Sequence, residues 1–132
     1  MLDMICVYTL TFINRSIYTF IMALYGIYGK HTQEACPLYN KENRKYLLRI
    51  LPTLEKNAQE YNVKIVNQYH SALEHTFVWV VDSDNPHLIE EFMSRTAGRF
   101  NTLKIVPLIT FQTVIERCKK IEQGSFFPAI TA

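Results

Sequence analysis

Apolar positions change their period several times along this 132-residue chain, and each change marks an element. Ala23–His31 (A-L-Y-G-I-Y-G-K-H) reads as a first strand with Leu24, Tyr25, Ile27 and Tyr28 as its bulk. Gly26 and Gly29 interrupt it, as glycines do at a bulge or where another group comes close. Thr32–Asn40 is a loop, and Asn40 is placed to cap the next helix. Leu47, Leu48, Leu51, Leu54, Ala58 and Tyr61 recur at helical spacing, with Lys41, Arg44, Lys45 and Arg49 mostly outward. Pro52 should kink or divide this helix. Val63–Tyr69 and Thr76–Asp82 are β-branched and aromatic runs, predicting strands two and three joined by a hairpin tip at His70–His75. Asn85-Pro86 opens a second helix as N-cap and first-turn proline. Its buried stripe is Leu88, Ile89, Phe92, Met93 and Thr96, and Gly98 is its stop. Leu103–Phe111 is strand four, with Pro107 pointing to an edge. Thr113–Gln123 is a last helix with Val114, Ile115, Cys118 and Ile121 inward, leading to an apolar tail, Ser125–Ala132.

The order from Met22 is β-α-β-β-α-β plus a C-terminal helix, an α+β arrangement of the ferredoxin-like, split βαβ kind with an antiparallel sheet. Strand three, F-V-W-V-V, has no polar face. One layer of helices covers one side of such a sheet, so the other side is expected to bury against a second copy, giving a dimeric α/β barrel.

Residues 1–21 differ from the rest of the chain. They are apolar and nearly free of charge after Asp3, but Asn14-Arg15-Ser16 breaks the run short of the roughly 20 residues of a membrane span. An acidic start and the lack of a small-residue cleavage site argue against a secretory signal. The expectation is a leader, 1–21, outside the core domain, and a single domain over 22–132. Membrane contact enters only if that leader is genuine.

Hydrophobic content of 48% and charged content of 20% exclude a disordered chain. A net charge of +2 argues against a nucleic-acid partner held by electrostatics. The three cysteines, Cys6, Cys36 and Cys118, are far apart and form no C-x-x-C pair, which suits a reducing cytoplasm rather than a disulfide framework.

Candidate chemistry gathers at one edge. In a ferredoxin-like sheet, strand three runs antiparallel between strands one and two. The ends of strands one and two and the start of strand three therefore lie together. That edge collects His31, Cys36, His70, Glu74 and His75. Imidazoles with a thiol suit Zn, Ni, Cu or Fe. The plainer reading is that each histidine caps a strand end, and that Cys36 is a small buried loop residue. Cys36 in Ala35-Cys36-Pro37 also fits a reactive thiol. Cys118 reads as core and His87 as surface. Asp82 and Asp84 read as turn and capping residues rather than an acid–base pair. Tyr25, Tyr28, Phe77 and Trp79 invite comparison with base-stacking sheets, but no RNP1 pattern is present and basic residues are few there. Interface or cavity lining is the expectation, with Glu74 at the rim.

The element order and the D-S-D-N-P-H-L-I-E-E-F helix opening resemble the small dimeric α/β-barrel proteins, over about Met22–Phe111. Within them the chain most resembles the DUF3303-like group and, more distantly, the DUF4242 group of small nickel-binding proteins. No H-x-x-x-H repeat lies on its helices, so no ligand set carries over from the nickel-binding group. The expected function is binding of a transition metal, or of a small ligand through one, at His31, Cys36, His70 and His75. One alternative is a barrel-cavity oxygenase or isomerase acting on a small apolar molecule, with the histidines as general bases. Another is a non-catalytic interaction module. The sequence names neither metal nor substrate.

Overall fold

The structure, a computed structural model, describes residues 23–124. The expected leader, 1–21, and the tail Ser125–Ala132 lie outside the described residues. Strand β1 spans Ala23–Lys30 and helix α1 spans Lys41–Ile50. A 3-10 turn, Leu51–Thr53, leads into α2, Leu54–Glu60. Strands β2, Lys64–Ser71, and β3, Thr76–Ser83, form a hairpin. Helix α3 covers Pro86–Arg95, β4 covers Thr102–Leu108 and α4 covers Phe111–Glu122. The four strands make one antiparallel sheet in the order β2-β3-β1-β4, consistent with the ferredoxin-like reading.

Local chemistry explains the boundaries. Asn40 accepts a hydrogen bond from the Asn43 amide at 2.9 Å and starts α1. Pro52 lacks the amide that a continuous helix would need, and the chain there tightens into the turn that divides α1 from α2. Asn85 accepts from the His87 amide, with Pro86 in the first turn of α3. Asn62 takes φ +53 and ends the connection into β2.

One face of the sheet is covered. Ile27, Trp79 and Val81 meet Ile89, Phe92 and Met93 of α3 and Leu54 and Ala58 of α2. Tyr25 and Ile105 pack half-buried against this cluster. Residues of β3 alternate, with Phe77, Trp79, Val81 and Ser83 buried under the helices and Thr76, Val78, Val80 and Asp82 on the open face. Gly29 pairs with Phe77, and a Cβ at Gly29 would overlap that ring. The glycine is there because an aromatic ring crosses it.

Several expectations need correcting. Helix α1 has no buried residue; Leu48 is 64% exposed and Leu51 55%. Tyr46 holds α1 instead, its hydroxyl donating between the carbonyls of Arg95 at 3.0 Å and Thr96 at 2.9 Å. Strand β4 stops at Leu108, and Phe111 starts α4. Cys118 is exposed, because α4 buries no residue among those described. Asp82 is inside β3 rather than in a turn, and its Oδ1 is buried without a hydrogen-bond partner among the described residues. Gly98 lies in a 3-10 turn, Ala97–Arg99, beyond α3.

Candidate metal centre

The sheet edge forms where β1 ends beside the start of β3. Lys30 pairs with Thr76, and one step on, the His31 amide donates to the His75 carbonyl at 3.0 Å. This bond places both imidazoles at the same height. His31 is buried, 7% exposed. His75 closes the turn and takes φ +50, a left-handed conformation that costs an ordinary residue roughly 1–2 kcal/mol. Such conformations collect at functional sites.

Cys36 reaches the same place through the β1–α1 loop. Its amide donates to the Thr32 carbonyl at 3.1 Å, and its own carbonyl accepts from Tyr39 and Asn40. Two successive turns thus wrap the cysteine, which is fully buried yet outside the main apolar cluster. The ligand atoms of His31, Cys36 and His75 all lie within 4.8 Å of one another. These three could hold a metal ion.

His70 stands next to them. Strand β2 runs through Ser71, two residues beyond the expected Tyr69, so His70 is a strand residue paired with Phe77 rather than part of the turn. Its ring stacks on that of His31, with centroids 5.3 Å apart and planes 8° from parallel. The two Nε2 atoms are 3.4 Å apart. Two nitrogens on one tetrahedral metal, each bonded at about 2.0–2.1 Å, are separated by about 3.3 Å. Burial, followed by the like charges of His31 and His75, holds the His70 pKa below the usual histidine value. The neutral imidazole, the form that ligates, is therefore favoured.

A neighbour that the sequence reading did not single out fixes His31. Asn101 donates from Nδ2 to the Ala97 carbonyl, so its Oδ1 faces His31 Nδ1 at 2.7 Å. That oxygen can only accept. His31 Nδ1 therefore carries the proton, and Nε2 keeps a lone pair turned to His70. The signal was available: Thr102 pairs with Lys30, so the residue before β4 belongs beside the residue after β1. Nδ1 of His75 is buried and has no hydrogen-bond partner among the described residues. A metal ion would satisfy it. Tyr39, also not singled out, packs edge-to-face with His75, the ring centroids 6.0 Å apart. Glu34 brings a negative charge to the loop. Its carboxyl is held below the usual range by a backbone hydrogen bond, then by Thr32, and least by His75.

A cavity of about 320 Å³ adjoins the cluster, between α1 and the sheet. His31, His70 and Asn101 mark one end, and Phe77 and Trp79 form its floor. Tyr25 does not line it; it packs on the main core. Tyr28 does not line it either, because it belongs to the open face of the sheet, 45% exposed. Glu74 is exposed in the turn, with its amide on the Ser71 hydroxyl, and lines no part of the cavity. His87 is exposed on α3, 3.8 Å from Glu90, away from the site.

No curated protein and no solved structure matches the chain. The family described as Domain of unknown function (DUF3303) matches it over residues 33–122, well over half of the chain and including Cys36, His70, His75 and Asn101, and the chain belongs to that family.

Proposed function

We propose that this domain binds a transition metal ion at the sheet edge through His31, Cys36 and His75, with His70 as a fourth donor. One observation carries the reading: three donors from separate parts of the chain lie within 4.8 Å of one another, and His31 and Cys36 among them are buried. Supporting it are the orphaned Nδ1 of His75 and the His31 tautomer that Asn101 selects. Imidazoles with one sulfur suit Zn, Ni, Cu or Fe better than Mg or Ca, which take oxygen donors. Cys36 and Cys118 are free thiols. A reducing compartment such as the cytoplasm keeps Cys36 available. No helix among the described residues is long and apolar enough to cross a membrane.

The test is metal content by mass spectrometry on protein purified without an affinity tag, followed by cobalt substitution. About one metal per chain and a sulfur-to-cobalt absorption band lost in Cys36→Ser are expected. His75→Ala should weaken binding, because it removes one of the three clustered donors, which the hairpin turn before β3 presents to His31 and Cys36. Metal-free protein that also refuses cobalt would sink the proposal.

A further inference from the structure

We infer that the cavity under α1 binds a small flat aromatic molecule with an anionic oxygen head, the ring on Phe77 and Trp79 and the head at His31, His70 and Asn101. For its charge preference, though not for its shape, this rests on the metal reading above. At about 320 Å³ the space is at the small end of ligand sites, enough for one or two fused rings.

Three observations support this class of ligand. First, the cavity is held open. Helix α1 roofs it with Leu47 and Ile50, which stay only half-buried, so part of its apolar side lines the cavity. The Tyr46 strut to Arg95 and Thr96 fixes the height of the roof, with the Tyr46 ring edge-on to Phe100 at 6.3 Å. Apolar surface left in that state gains free energy when a ligand covers it. Second, the floor is aromatic. Phe77 and Trp79 lie 5.7 Å apart, and such rings favour another flat ring. Third, the polar groups sit at one end. Among the described residues, no carboxylate, lysine or arginine lines the cavity. A cationic head would be buried without a partner. An anionic oxygen can replace His70 as fourth donor on a metal held by His31, Cys36 and His75, which leaves the His70 ring N–H to donate to it.

Tryptophan occurs once in the chain, at Trp79, so its fluorescence reports the cavity floor directly. Full-length protein, zinc-loaded and metal-free, is titrated with benzoate, with benzylamine (same ring, cationic head) and with acetate (head without ring). Benzoate should change Trp79 emission saturably and bind at least about tenfold more tightly than the other two. Ile50→Phe, which fills the roof side, should weaken benzoate by a similar factor and leave zinc binding intact. A zinc-loaded protein that is silent to benzoate, or that takes benzylamine equally well, overturns this inference and leaves the metal reading standing. A protein that binds benzoate but no zinc overturns the metal reading alone.

Discussion

Nδ1 of His31 and Oδ1 of Asn101 lie 2.7 Å apart, although 70 positions separate them in the chain. The contact joins the end of the first strand to the entry of the last. It also decides which imidazole nitrogen is free. Replacing Asn101 by Ala should leave the fold intact and lower metal affinity about 10–100-fold, the usual cost of removing an outer partner of a ligating histidine. Asn101→Asp, which keeps the acceptor, should recover much of the loss. Competition against a chromogenic chelator measures both. Equal affinity in Asn101→Ala and the parent would show that the tautomer is set elsewhere.

Protons compete with metal for imidazole, so binding should weaken as pH falls through the histidine range. His70 adds a separate effect on the metal-free protein. Its folded pKa lies below the ordinary histidine value of 6.5, so the unfolded chain binds more protons there. Stability then falls as pH drops from about 6.5 towards the folded value. Thermal melts should show a lower midpoint on the acid side, and His70→Gln should flatten that slope. An unchanged slope in the variant would assign the acid sensitivity to other groups.

Gly29 has no room for a side chain. An alanine Cβ there would overlap the Phe77 ring, and moving a ring that is only 9% exposed disturbs the floor of the cavity. Gly29→Ala should lose about 1–3 kcal/mol in urea unfolding, as overpacked cores do. A loss below about 0.5 kcal/mol would mean that Phe77 has another rotamer open to it.

The open sheet face carries Val78 and Val80, with Tyr28, Val106 and Leu108 beside them in register. We propose that a second copy covers it through the same face. The two-sided apolar character of β3 supports this. Sedimentation should give a dimer at micromolar concentration, and Val80→Glu a monomer. A parent chain that sediments as a monomer would rule the dimer out.

Much of this is legible in the sequence, and for definable reasons. The split βαβ order alone brings His31, His70 and His75 to one edge. Period-two alternation puts Phe77, Trp79 and Val81 on one face, but in a strand with no polar side it does not tell which face the helices cover. Side-chain facing at His70 is not legible there, because it depends on a register that shifts between Ile65 and Asn67 and on a turn two residues shorter than expected. Leu48, Leu51 and Cys118 mislead for a different cause. Helical spacing reports which residues share a face, not whether anything stands opposite.

The candidate donors at the edge come from the residue after β1, the loop beyond it, the end of β2 and the turn before β3. None of these segments can assemble the set alone. Under the proposed function, metal binding and closure of this edge would be one event, with the ion as a clasp on the hairpin tip. At a free metal concentration of about 1,000 Kd, the clasp is worth about 4.1 kcal/mol to the folded chain. Amide hydrogen exchange should record it locally. Protection at His31, Cys36 and His75 should rise together when metal is added, while the amides of the first turns of α3, which follow the other end of β3, exchange as before.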